Sequence, residues 1–156
     1  MRVDATVAEI MDVLRGLGKV PPYVQSVEGA DDEIRAAIDL RQIPKAPSPL
    51  KLAARLVPVM RAGVKLESFN AGVAIAAVDA SAGGLPAHKL LAFLEAPVAK
   101  VLAAQKLPPD SIQILPNARV SVDMHAVIAA KYPALAGLKI TELAISGGQV
   151  HAVATV

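Results

Sequence analysis

The 156-residue chain contains no cysteine and no tryptophan, and only two phenylalanines and two tyrosines. Without thiols there is no disulfide framework, no thiolate nucleophile and no cysteine-ligated zinc, and the redox state of the compartment leaves no mark on the sequence. Proteins that track single strands stack bases on aromatic side chains, and here Tyr23, Phe69, Phe93 and Tyr132 lie far apart. Charge of one sign is missing too: 16 Lys and Arg against 14 Asp and Glu give a net charge of +2, scattered along the chain. No basic run tracks a phosphate backbone, so nucleic acid is not an expected partner.

Long hydrophobic runs are also absent. The best one, Ala71 to Leu85, is broken by Asp79, Gly83 and Gly84 and falls short of the roughly 18 apolar residues that a spanning helix needs. The opening stretch MRVDATVAEIMDVLRG carries acidic residues and reads as an amphipathic helix, not as a signal peptide. Neither a signal peptide nor a transmembrane segment is expected in the sequence as it stands, and its localisation stays open.

What the chain does have is aliphatic residues. Hydrophobic residues make up 54% and charged ones 19%, and the mean hydropathy is +0.47, well above a typical globular domain. The length suits a single domain over residues 1–156, able to bury a sizeable core without a metal or disulfide.

Periodicity and turn chemistry organise the chain. Thr6 and Glu9 have capping-box spacing, and Val7, Ile10, Met11, Leu14 and Leu17 mark one helix face up to Gly18. Gly16-Leu17-Gly18-Lys19 follows a helix and not a strand, so it reads as a helix stop, not a phosphate loop. A hairpin is expected around Gly29-Ala30-Asp31-Asp32, then a helix with Ser48 as N-cap and Pro49 in its first turn, running toward Gly63 and kinked or stopped at Pro58. The order recurs, with a hairpin around Asn70 to Gly72 and a Leu-rich helix from Pro86 that contains Pro97 and should bend there. A third hairpin turns at Pro116-Asn117, a short helix covers about Met124 to Lys131, and a last hairpin turns at Gly147-Gly148.

These units repeat in sequence. Val64-Lys65-Leu66-Glu67-Ser68-Phe69 matches Leu138-Lys139-Ile140-Thr141-Glu142-Leu143, and second strands close on Ile38-Asp39, Val78-Asp79 and Val122-Asp123. The period is near 40 residues. Apolar alternation slips by one residue at Glu142, and the run Val64, Leu66, Phe69, Ala71 slips at the same place, which predicts equivalent β-bulges. The expected class is α+β: a curved, mostly antiparallel sheet of about four hairpins packed on amphipathic helices, with internal hairpin-helix repeats.

Reactive constellations do not emerge. His88, His125 and His151 have no second His or carboxylate at the helical spacing of a metal pair, Asp31-Asp32-Glu33 lacks the other ligands of a calcium loop, and no serine sits in a GxSxG elbow. Gly83-Gly84 reads as a strand-to-helix turn. No catalytic residue, metal ligand or cofactor is nominated, and an enzyme is not expected.

The glycine-turn hairpins with an apolar-Lys-apolar opening, followed by a long Leu-rich helix after Leu85-Pro86, resemble bacterial relatives of the tubular lipid-binding (TULIP-like) superfamily over Val64 to Val156. The resemblance implies a twisted sheet curled around a long helix, with lipid or another hydrophobic ligand held in the seam. Independently, the excess of aliphatic residues fits an apolar groove between the helices and the sheet, for which Leu52, Leu56, Met60, Phe69, Ile75, Leu91, Leu94 and Val98 are the candidate ligand-binding residues. A lipid or apolar small molecule is thus the first expected partner, with peripheral membrane contact open. The alternative is a structural or self-assembly module, associating as a homo-oligomer through strand edges or a helix stripe.

Overall fold

The computed structural model describes all 156 residues as an α+β arrangement of antiparallel strands and four α-helices. The chain opens with β1 (Arg2–Thr6) and α1 (Val7–Gly16), followed by the hairpin β2 (Val24–Ala30) and β3 (Glu33–Asp39), a 3₁₀ turn at Leu40–Gln42 and α2 (Ser48–Leu56). A longer hairpin, β4 (Val59–Asn70) and β5 (Val73–Ala82), leads through the two-residue β6 (Leu85–Pro86) into α3 (Ala87–Ala104). The short hairpin β7 (Ile112–Leu115) and β8 (Arg119–Asp123) precedes α4 (Met124–Lys131), and β9 (Lys139–Ser146) with β10 (Gln149–Thr155) completes the order.

The strands form two sheets. The larger runs β2-β3-β4-β5-β8-β7, with β6 attached to β5, and the smaller runs β1-β10-β9. All pairings are antiparallel. Turn residues set the registers. Ala71 and Gly72 both have positive φ, as do Gly147 and Gly148, which is the backbone that a two-residue hairpin connection demands. Asn117 and Ala118 take the same left-handed conformation in the β7–β8 turn.

The capping box at Thr6 forms: its hydroxyl accepts the Glu9 backbone N–H at 3.1 Å, and the Glu9 carboxylate accepts the Thr6 N–H. Three sequence expectations need correction. Residues 2–6 are a strand, because they pair along their length with β10 near the other end of the chain. The helix whose pattern runs toward Gly63 stops at Leu56, before Pro58 where a kink or stop was expected, and its N-cap is Pro47, not Ser48. Pro58 cannot donate to the helix, its carbonyl instead accepts the Leu40 N–H at 2.9 Å, and Val59 onward joins the ladder with β3. The bulge expected at Glu142 lies one residue earlier, at Thr141, where Ile140 and Glu142 pair with the consecutive Ala154 and Val153. A second lies at Glu67 in β4, between Leu66 and Ser68, and a third at Gln25 in β2.

The main core lies between one face of the larger sheet and the two helices α2 and α3. Its buried centre is Leu40, Leu50, Ala53, Ala54, Met60, Ala82 and Leu90. The inward face of α2 consists of Leu50, Ala53 and Ala54, and at Ala53 the helix approaches backbone closely: a Cβ on Gly83 would fall 2.8 Å from the Ala53 Cα. Leu52 and Leu56 face outward. No helix is long and apolar enough to cross a membrane.

Candidate functional site

The 3₁₀ turn after β3 is held by a buried carboxylate. Asp39 is 3% exposed; its Oδ1 accepts the Arg41 backbone N–H and Nε–H, each at 3.0 Å, and its Oδ2 accepts from Arg41 and Gln42 side chains at 3.1 and 3.0 Å. The Arg41 guanidinium, then the Gln42 amide, hold the Asp39 pKa down at about 2. This clamp fixes the direction in which the chain leaves the sheet, and it turns Leu40 and Ile43 toward α3.

Between that turn, the sheet and α3 lies an apolar cavity of about 310 Å³. Strands supply Ile38, Met60 and Ile112, the helix α2 supplies Leu50, and the segments flanking the strands supply Tyr23, Leu40 and Ile43. The roof comes from α3, through Leu90, Leu94, Pro97, Val98, Val101 and Leu102. These recur at three- and four-residue intervals, so they share one helix face. No lining residue is charged, and the Tyr23 hydroxyl is the single polar side-chain group among them. The space can hold an apolar molecule and offer it one hydrogen bond.

Of the residues nominated from sequence, the cavity brings together Met60, Leu94 and Val98. Leu52 and Leu56 are 59% and 74% exposed on the outer face of α2. Leu91 is buried outside the lining, and Ile75 is half-buried on β5. Phe69 lines a different cleft, of about 410 Å³, between β4 and β9. Sequence reasoning missed Tyr23, Leu40, Ile43 and Ile112, which lie outside the helical stripes that drew attention to the others.

Two other clefts carry charged or polar side chains in their walls. One, of about 880 Å³, runs between the start of α3 and the β7–β8 turn and presents Asp79, Ser81, His88 and Glu95, all solvent-exposed. Another, of about 420 Å³, lies over the exposed face of the larger sheet around Gly63.

The remaining histidines have structural partners. His125 Nε2 accepts the Ile140 backbone N–H at 2.9 Å, tying α4 to β9, and His151 Nδ1 lies 2.6 Å from Asp4 across the β1–β10 pair. That hydrogen bond, with help from Arg2, lowers the Asp4 pKa. No group of three or more His, Asp or Glu is placed to hold a metal ion.

No family model matches this chain, and neither the curated proteins nor the solved structures contain a match to it.

Proposed function

We propose that this protein is a non-enzymatic binder of a hydrophobic ligand, held between α3 and the larger sheet. The observation that carries this reading is the cavity itself: about 310 Å³ with apolar walls and one hydroxyl. Small-molecule sites occupy roughly 300–1,000 Å³ and are mostly apolar with a few placed polar groups. At the lower end of that range the fit is to one acyl chain or a compact apolar molecule, with Tyr23 meeting a polar end, and not to a two-chain lipid.

The resemblance to the tubular lipid-binding superfamily supports the same reading, since a long helix lying on an antiparallel sheet above an apolar seam is what that resemblance implies. We further read the hairpin and helix units as internal copies. The bulges at Glu67 and Thr141 occupy the same position when Val64–Phe69 is laid on Leu138–Leu143, which supports this. Bulges strengthen local twist, and matched ones would curve the sheet toward the helix.

Native mass spectrometry of the purified protein, with organic extraction, tests the proposal. The expected result is one non-covalently bound apolar molecule per chain, or uptake of a fluorescent fatty acid by stripped protein. A chain that carries nothing and takes up no fatty acid refutes it.

A further inference from the structure

Charge is unevenly placed along this chain. Between Asp39 and Glu67 stand six Lys and Arg and no Asp or Glu, which leaves the rest of the chain net negative. Three of the six have acidic neighbours. Arg41 is bonded to Asp39, Arg61 shares the cleft on the exposed sheet face with Glu28, Glu33 and Asp79, and Lys65 lies opposite Glu33 in the β3–β4 ladder. The other three, Lys45, Lys51 and Arg55, are exposed and belong to no ion pair.

The helix α2 sets two of these free cations beside two exposed leucines. Its buried face is Leu50, Ala53 and Ala54. At about 100° per residue, Lys51 and Arg55 form one row along the opposite face, and Leu52 and Leu56 form a second row next to it. Leu56 is more exposed than any other large apolar side chain except the C-terminal Val156, and Leu52 is more than half exposed. Beside the basic row, Lys51 and Arg55 line a cleft of about 420 Å³ together with Arg41, and no acidic residue takes part in it.

We propose that the outward face of α2, with Lys45 in the loop before it, docks on an anionic lipid surface. An interfacial helix lies in the plane of the bilayer with its apolar side chains in the acyl boundary, and anionic headgroups attract the cations along its side. Leu52 and Leu56 supply the first part, and Lys45, Lys51 and Arg55 the second. Nucleic acid offers phosphates but no apolar phase to receive two leucines. A second copy of the chain, packed face to face, would set these cations against their own counterparts. Docking has a consequence for the cavity: Leu40 and Ile43 line both it and the basic cleft, so the wall they form would stand next to the bilayer. The docking itself does not depend on the cavity being filled.

Co-sedimentation of the lipid-stripped chain with phosphatidylcholine vesicles, with and without phosphatidylglycerol, tests this. Binding is expected only with phosphatidylglycerol and should weaken as salt rises. Lys51→Gln with Arg55→Gln should weaken it about tenfold, and Leu52→Ser with Leu56→Ser by about as much. Arg61→Gln with Lys65→Gln removes the same charge from the other side of the sheet and should leave binding unchanged. All six positions are exposed, so each variant should melt close to wild type. Uptake of a fluorescent fatty acid from solution, which reads the cavity, should be the same in all of them. Absence of binding to phosphatidylglycerol vesicles, or equal losses from the two charge pairs, overturns the proposal. So does binding to an RNA oligonucleotide or to polyglutamate that is as tight as to vesicles and indifferent to the leucine exchanges, which would give the face to nucleic acid or to an acidic protein.

Discussion

Gly29 and Gly148 meet where the tip of the β2–β3 hairpin touches the tip of the β9–β10 hairpin: a Cβ on Gly29 would stand 2.5 Å from the Gly148 carbonyl oxygen. The Gly148 N–H donates to the Asp31 carbonyl at 3.1 Å, and its own carbonyl accepts the Val7 N–H at 3.4 Å. This junction joins the two sheets and seats the first turn of α1. Gly29→Ala should destabilise the fold by roughly 1–3 kcal/mol, since backbone and not a flexible side chain must yield. Urea denaturation checks this, with Gly16→Ala as the control, because a Cβ at Gly16 meets nothing within 4 Å.

Acid should loosen the clamp at Asp39. Its pKa falls from the ordinary 3.8 to about 2 on folding. A depressed carboxylate stabilises the fold above its unfolded value and loses that contribution as pH drops through the folded one. Asp4, bonded to His151, and Glu67, bonded to Arg119, shift in the same direction. The melting temperature should therefore fall between about pH 4 and pH 2. Asp39→Asn should be less stable than wild type at neutral pH and show a shallower acid slope.

His125 can accept the Ile140 N–H only through an unprotonated Nε2, so the ring must carry its proton on Nδ1. Long-range ¹⁵N–¹H NMR should show that tautomer. His125→Ala leaves a half-buried N–H without its partner and should cost about 1–3 kcal/mol, with the amide of Ile140 among those whose exchange rises most.

Filling the cavity should separate binding from folding. Val98→Phe should lower the affinity for a fluorescent fatty acid roughly tenfold or more, with a melting curve close to wild type. Leu90→Ala, in the central core, should cost about 2–5 kcal/mol of stability. Leu52→Ser, on the outer face of α2, should leave uptake unchanged.

Local chemistry was the most readable part of this sequence. Thr6 and Glu9, Ala71-Gly72 and Gly147-Gly148 announce a cap and two turns through residues that are neighbours in the chain, and Met124 to Lys131 forms the helix its pattern describes. Partnerships across the chain were not readable. Arg2–Thr6 has no strand character beyond short alternation until β10 arrives beside it, and Val59–Gly63 keeps a helix-like spacing with Met60 until β3 recruits it.

The same distinction divides the site. Met60, Leu94 and Val98 fall on periodic stripes. Tyr23 and Ile43 enter the cavity from connecting segments whose course depends on tertiary contacts such as the Asp39 clamp. For α2 the sequence offered two apolar faces, and the bulkier one was the natural choice for the interior. The face that carries Leu50, Ala53 and Ala54 is the buried one instead, and the close approach of Ala53 to Gly83 leaves no room at that point for a larger side chain.

The pairing of β1 with β10 has a kinetic consequence. Arg2 lies opposite Val153, and Thr6 opposite Gln149. Few contacts in the molecule span more of the sequence, and contacts of such separation are slow because the intervening loop must close first. During synthesis this strand must wait, unpaired, until β10 has been made. In a pulse-labelled refolding experiment its amides should acquire protection in the last phase, after the β4–β5 hairpin has already done so.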